Sequence, residues 1–217
     1  RTEETPAIGI DQRKQNRVNL ALQYIEDVTS GKVVSCELVK RSVERHLTDL
    51  ETAHERGFYF DAEAGENILT TFRYFRHTAG TYAKKPFQLL AWQAFVLWVL
   101  FGWKRTEDGQ RRFSKAYVEV AKKNGKTEMA GALGLIGAFF DGMFGAEVYS
   151  AANKLDQASI CWSAAAQMTK FLRAEDSDLH ELFEVHESFN NRNIFSRELN
   201  SFFKPVAADS KTLDGLR

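Results

Sequence analysis

Cysteine is scarce in this chain, and its two cysteines are not placed to form a metal site. Cys36 and Cys161 are far apart in the 217 residues, and neither has partners at the short spacing of a zinc site. This low cysteine content favours a reducing, cytosolic compartment.

The chain also has a net charge of zero, because Lys+Arg and Asp+Glu both number 29. Overall attraction to nucleic acid is therefore not predicted, and any DNA binding must come from a local patch. No apolar run reaches the roughly 18 residues that a membrane-spanning helix needs. The start, Arg1-Thr-Glu-Glu-Thr, resembles neither a signal peptide nor an initiator methionine. We interpret the chain as a processed product or a fragment.

Hydrophobic periodicity predicts a helical region over residues 1–84. Its second helix has a charged face that includes Asp49, and we expect this face to be solvated. His46 and His54 have no carboxylate pattern around them, so we expect surface or core-edge histidines and not ligands. The three predicted helices run from Asp11 to about Ser30, from about Ser35 to Glu55, and from Asp61 to Gly80.

Residues 85–217 alternate helix and strand signals, which predicts an α/β core with a mostly parallel sheet. Gly131, Gly134 and Gly137 recur within one predicted helix. Glycine costs up to about 1 kcal/mol inside a helix, so these three predict close packing against the sheet. The expected helices are 91–101, 129–140 and 154–172, and the expected strands are 116–121, 146–151, 183–186, 193–199 and 202–208, two of them forming a hairpin.

A phosphate-binding loop is indicated where the strand over 116–121 meets the following helix. Gly125-Lys126-Thr127 is the second half of the pattern G-x-x-x-x-G-K-[ST]. In that pattern backbone N–H groups hold phosphates, the Lys reaches the β/γ-phosphates and the Thr hydroxyl binds Mg²⁺. The first glycine is missing, because Val120 occupies its position. An ordinary strand–turn–helix with a basic turn is the alternative.

Two further features bear on nucleotide chemistry. Gln93 lies among aromatic residues upstream of the loop, where it is either a capping or surface residue or hydrogen-bonds adenine. ATP hydrolysis also needs an Asp that organises Mg²⁺ and a Glu that polarises water, yet no apolar run here ends in Asp-Glu. The nearest candidate, Pro205-Val-Ala-Ala-Asp209, lacks the Glu.

Five ordered segments resemble the ATPase part of the large terminase subunit of tailed bacteriophages. In that family a loop of the form basic-x-Asn-Gly-Lys-[Ser/Thr] is usual, which explains Val120. The resemblance covers nearly the whole chain. The segments are Ile25–Gly31, Phe87–Gln93 with Phe101-Gly-Trp103, Arg112–Thr127, Tyr149–Ala158 and Ala208–Gly215.

The resemblance implies a P-loop motor, preceded by a helical region, that couples ATP hydrolysis to translocation of double-stranded DNA into a procapsid. Lys126 would contact the β/γ-phosphates in catalysis, and Thr127 would bind Mg²⁺ through its hydroxyl. Gln93 would read adenine, with Phe87 or Trp92 near the base. The whole nucleotide site would comprise Gln93, Lys122, Lys123, Asn124, Gly125, Lys126 and Thr127.

The resemblance also implies ATP and Mg²⁺ as cofactors. The implied partners are double-stranded DNA, the portal protein of the procapsid, the small terminase subunit and further copies of the chain in a ring. The implied location is the host cell cytoplasm during assembly, away from membranes and not as a stable virion component. An acidic strand and a nuclease domain would lie beyond Arg217, so we expect the isolated chain to bind nucleotide weakly and to hydrolyse it slowly if at all.

Some roles stay open. The Ser150–Lys154 segment would either touch DNA or form a plain turn, and Arg192, Arg197 and Arg217 are unranked candidates for an arginine finger. The alternative functions are another P-loop enzyme, such as a helicase-like ATPase or a kinase, and a non-catalytic docking module with a vestigial loop.

Overall fold

The computed structural model describes residues 10–188 and 191–208, with side chains from residue 20 onward. These residues form two compact units. The helical unit combines the chain up to Phe72 with Gln88–Val118, and the α/β unit combines Arg73–Phe87 with the chain from Glu119 onward. The predicted domains, 1–84 and 85–217, stay a prediction. None of the described helices is both long and apolar enough to cross a membrane.

The helical unit contains the predicted N-terminal helices and the predicted buried helix. The third helix starts where Asp61 Oδ1 accepts a hydrogen bond from the Ala64 N–H at 3.0 Å, and it ends earlier than the expected Gly80. The fourth helix packs against the first and the third. The elements are α1 (Ile10–Thr29), α2 (Glu37–Thr52), α3 (Ala62–Thr71), α4 (Ala91–Gly102) and an antiparallel pair, β1 (Phe58–Phe60) and β2 (Trp103–Arg105).

His46 lies inside the helical unit, where only 1% of its surface is exposed. The Trp103 Nε1–H donates a hydrogen bond to His46 Nδ1 at 3.1 Å. Burial lowers the pKa of His46 to about 4, so the ring is neutral at neutral pH. Its predicted core-edge position is therefore a core position, among the rings of Phe60, Phe95, Trp98 and Trp103.

Asp49 of α2 is buried as well, so the prediction that it lies on a solvated face is wrong. Its carboxylate is 4% exposed and accepts hydrogen bonds from Arg56 and from Arg112. Burial by itself would raise the pKa of Asp49, but the hydrogen bonds from the two arginines outweigh burial and lower it. The prediction failed here because it took no account of the two arginines, whose pairing compensates the burial of the carboxylate.

The α/β unit confirms the predicted fold class, but its sheet is mixed and not mostly parallel. The strands lie in the order β3-β6-β5-β4; β3 pairs with β6 in parallel, and the other two pairings are antiparallel. Only two residues separate β4 from β5 along the chain and four separate β5 from β6, and connections this short permit only antiparallel pairing. The strands are β3 (Glu147–Ala152), β4 (Glu184–Ser188), β5 (Asn191–Ser196) and β6 (Ser201–Ala207).

Three helices accompany this sheet: α5 (Lys126–Leu135), which continues as a π-helical segment over Ile136–Phe140, α6 (Leu155–Glu175) and α7 (Ser177–Leu182). A Cβ added at Gly134 would collide with the ring of Phe203 on β6, and one at Gly131 would meet α6 backbone atoms at 3.1 Å. The Trp162 Nε1–H also donates to the Phe203 carbonyl at 3.0 Å. The predicted close packing against the sheet is therefore confirmed at Gly134, whereas Gly131 packs against α6 and Gly137 is not tightly packed.

The strand predicted over 116–121 does not form in the described structure. These residues are irregular, and the Tyr117 side chain is 84% exposed. Val118 and Val120 are only half-buried. β-branched residues favour a strand chiefly where neighbouring strands pack against them, and that packing is missing here.

Candidate functional site

The candidate phosphate loop turns into α5 through two residues with left-handed backbone. Lys123 has φ 69° and Gly125, the residue that precedes α5, has φ 71°. Val120 is not among the residues with positive φ. Because the left-handed region is what favours glycine, valine at this position carries no backbone strain. The missing first glycine is thus compatible with the loop.

Asn124 closes the loop on itself. Its Nδ2–H₂ group donates to the carbonyl of Ala121 at 3.1 Å and to the carbonyl of Lys122 at 3.5 Å. Asparagine is a residue that bonds its own neighbouring backbone in this way. Its role in the described structure is to shape the turn.

The loop presents positive charge beside a helix N-terminus. Lys122, Lys123, Lys126 and Thr127 are all exposed, and Lys126 and Thr127 begin α5. The first turn of a helix carries N–H groups without intrahelical acceptors, together with the positive end of the helix dipole. Backbone donors and lysines in one place suit a phosphate group. The structure brings together every predicted site residue except Gln93 in this one stretch of the α/β unit.

Glu128, the residue after Thr127, has partners that the sequence did not reveal. Its Oε1 accepts hydrogen bonds from the Thr78 N–H at 2.6 Å and from Thr78 Oγ1 at 2.8 Å. Its Oε2 lies 2.8 Å from His77 Nδ1. Burial by itself would raise the pKa of Glu128, but these hydrogen bonds outweigh burial and lower it. We call this arrangement the Glu128 clamp.

The two partners of Glu128 in the clamp, His77 and Thr78, belong to a hairpin-like segment, residues 75–87. The Phe87 N–H donates to the Phe75 carbonyl at 2.9 Å, and the His77 N–H donates to the Lys85 carbonyl at 2.9 Å. The Phe87 ring stacks on His77 with centroids 4.6 Å apart and planes at 18°. Phe87 is 1% exposed, and one face of its buried ring is taken up by the contact with His77. Its predicted place near a base stays a prediction.

Gln93 caps its own helix. Its Oε1 accepts a hydrogen bond from the Leu90 N–H at 2.9 Å, and its side chain is 2% exposed. The capping alternative is therefore what the structure displays. Gln93 belongs to the helical unit, and its contact with adenine stays a prediction.

The remaining candidates have local partners. Strand β3 runs to Ala152, so it includes much of the predicted Ser150–Lys154 turn, and Ser150 Oγ donates to the Ala158 carbonyl at 2.8 Å. Arg192 Nη1 donates to Ser159 Oγ at 2.6 Å, and Arg197 Nε donates to Glu184 Oε1 at 2.6 Å. Asp209 and Arg217 lie outside the described residues.

A separate cavity of about 430 Å³ lies elsewhere in the α/β unit. Four of the six residues that line it are carboxylates, which would repel a triphosphate. Within residues 10–188 and 191–208, no group of three or more His, Cys, Asp or Glu side chains is arranged to hold a metal ion. The lining residues are Asp178, Glu181, Leu182, Glu184, Arg197 and Glu198.

An α/β unit with a basic, glycine-containing loop at a helix N-terminus is a frequent design among nucleotide-binding proteins. Residues 91–217 match the family model of the terminase large subunit, ATPase domain. The chain therefore belongs to this family of ATPase domains.

A solved structure supports the same fold. The chain is similar to the crystal structure of the HK97 bacteriophage large terminase, with a TM-score of 0.54, 21% identity and a match over 70% of this chain. The match spans 29% of that protein, so this chain corresponds to less than a third of it. At this level of identity the likeness establishes the fold alone. A comparison with curated proteins gives no match.

Proposed function

We propose that this chain is the ATP-binding motor domain of a viral DNA-packaging terminase large subunit, which couples ATP hydrolysis to translocation of double-stranded DNA into a procapsid. The observation that carries the proposal is Gly125-Lys126-Thr127, which opens α5 within the residues that the family model matches. Membership of the family supports ATPase activity in general terms. The residues of the loop support the more specific proposal of a triphosphate site.

In this proposal Lys126 contacts the β/γ-phosphates and the Thr127 hydroxyl binds Mg²⁺. Lys122 and Lys123 add positive charge, and the N–H groups of the first turn of α5 donate to phosphate oxygens. Magnesium keeps several of its waters and takes few protein ligands beside triphosphates. One hydroxyl from the chain, with the phosphate oxygens, therefore fits such a site.

For adenine, Gln93 is our proposed contact through its amide nitrogen, because its amide oxygen already accepts the Leu90 N–H. For hydrolysis, we propose that the acidic residues that organise Mg²⁺ and the attacking water lie outside residues 10–188 and 191–208. DNA, the portal protein, the small terminase subunit and a ring of further copies are the proposed partners, in the host cell cytoplasm.

Titration with an ATP analogue tests the proposal. Lys126→Ala removes a charged phosphate contact, and a hydrogen bond to a charged group contributes about 1.5–3 kcal/mol. We expect a loss in affinity of about tenfold or more. The matched control is Lys115→Ala, which removes an exposed lysine outside the loop and should bind like the wild type. Equal affinity of the wild type and Lys126→Ala would instead favour a docking module with a vestigial loop.

A further inference from the structure

Glu128 places a negative charge next to the proposed phosphate site. It is the third residue of α5. A glutamate at this position of a helix commonly folds back and accepts a hydrogen bond from the backbone N–H of the residue before the helix, here Gly125. A phosphate at this loop would use N–H groups from the same part of the chain. A folded-back Glu128 would therefore compete with phosphate for donors and would repel it.

In the structure, Glu128 is hydrogen-bonded to the 75–87 hairpin. Both carboxylate oxygens are engaged by the 75–87 hairpin, through two donors of Thr78 and through His77 Nδ1. The Glu128 side chain is 20% exposed and that of His77 is 17% exposed. Because the contact is partly shielded from water, its charge-assisted hydrogen bonds are screened less than those of a surface pair.

The hairpin is itself held in place from two sides. His77 is fixed by its stack on Phe87 and by backbone hydrogen bonds within the hairpin. Arg76 makes a two-bond contact with Glu175 at the end of α6, from Nε and Nη2, each at 2.8 Å. The hairpin is thus anchored to α6 independently of Glu128. The position of the hairpin therefore does not depend on its contact with the Glu128 carboxylate.

We propose that His77 and Thr78 are positioning residues that keep the Glu128 carboxylate out of the phosphate loop, so that the N–H groups at the start of α5, that of Gly125 first, stay available to a nucleoside triphosphate. This inference rests on the proposed function of the loop. It assigns the 75–87 hairpin a role in nucleotide affinity that the loop motif does not contain.

The test compares three variants of the full chain, each first shown to be folded by its thermal melting. The clamp variant combines His77→Phe with Thr78→Val, which keeps an aromatic ring on Phe87 but removes the side-chain donors. The second is Glu128→Ala, and the third combines all three substitutions. Binding of a fluorescent N-methylanthraniloyl ATP analogue with Mg²⁺ is measured for each.

We expect the clamp variant to bind the analogue about three- to tenfold more weakly, because of its clamp partners Glu128 keeps only the Thr78 N–H and its carboxylate is freer to turn toward the loop donors. We expect Glu128→Ala to bind about two- to threefold more tightly than the wild type, because a negative charge beside the phosphates is removed. The triple variant should bind like Glu128→Ala. If instead Glu128→Ala weakens binding and the triple variant does not recover it, Glu128 only supports the local structure and the proposal is overturned.

A second readout needs no nucleotide, so that it separates this inference from the function of the loop. Solvent exchange of the amides of residues 125–128 is measured by NMR in the unliganded protein. In the clamp variant we expect the Gly125 amide to exchange more slowly than in the wild type, because Glu128 turns back and accepts from it. In the triple variant we expect exchange as fast as in the wild type. Equal exchange in all proteins would overturn the inference even if Lys126→Ala abolishes nucleotide binding.

Discussion

Arg112 and Asp49 form a salt bridge inside the helical unit, with Arg112 Nη1 2.7 Å from Asp49 Oδ2. Their side chains are 11% and 4% exposed. The guanidinium of Arg112 also lies over the rings of Phe58 and Trp103, at 4.5 and 5.2 Å from their centroids. This arginine therefore connects α2 to the segment after β2 by charge and by stacking together.

Arg112→Ala should destabilise the protein by about 2 kcal/mol, because it leaves the buried Asp49 carboxylate with the half-exposed Arg56 as its one remaining arginine partner. The free energy of unfolding in urea measures this loss. The matched control is Arg41→Ala, which breaks the exposed pair with Glu37 and should cost under about 1 kcal/mol. Equal losses in the two variants would mean that burial of the Asp49 pair has no energetic consequence.

Because His46 is buried and neutral, we expect the stability of the protein to fall under mildly acidic conditions. The pKa of His46 is lowered from 6.5 to about 4 in the folded chain, so between these values the unfolded chain binds a proton that the folded chain does not. Stability should therefore fall as pH drops below 6.5, by about 2 kcal/mol on reaching pH 5. The carboxylates of Asp49 and Glu128, whose pKa values are lowered, lose their contribution only at lower pH.

Urea unfolding at several pH values between 6.5 and 5 measures this slope, and His46→Phe should reduce it. The control is His54→Gln, because His54 is exposed and its replacement should leave the slope unchanged. A wild-type stability that stays constant over this pH range would contradict the buried, neutral state of His46.

Replacing glycine by alanine should have opposite effects at Gly134 of α5 and at Gly137 of the π-helical segment that follows it. Gly134→Ala places a methyl group against the Phe203 ring, and overpacking of this kind costs about 1–3 kcal/mol. At Gly137 the added Cβ would make an ordinary contact with Val148 at 3.6 Å, so Gly137→Ala should be neutral or stabilising by up to about 1 kcal/mol. Thermal unfolding compares the two. A stabilising Gly134→Ala would refute the close approach of α5 to the sheet.

Local patterns predicted the parts of the fold that depend on local chemistry. The helices followed from hydrophobic periodicity, and the loop followed from a tripeptide whose residues are adjacent in the chain. Asp49 and Glu128 were misjudged or missed because each has a partner far along the chain: Arg112 is 63 residues from Asp49, and His77 is 51 residues from Glu128. No spacing rule connects such positions. Only the folded chain brings them together.

The strand predicted over 116–121 failed for a related reason. Val118 and Val120 have the intrinsic preference of strand residues, but that preference is realised only by packing against neighbours. A hairpin was expected, but the sheet as a whole was predicted to be mostly parallel. Strand direction depends on the length of the connections between β4, β5 and β6, and the alternation within a strand does not encode it.

The central claim is that the turn before α5 binds the phosphates of ATP. Crystals of the protein grown with Mg²⁺ and a non-hydrolysable ATP analogue test this most directly. We predict density for the triphosphate at the N-terminus of α5, with the Lys126 Nζ within hydrogen-bond distance of the β- or γ-phosphate and Mg²⁺ on the Thr127 hydroxyl. An analogue bound elsewhere, or a loop without density at saturating analogue, would contradict the claim.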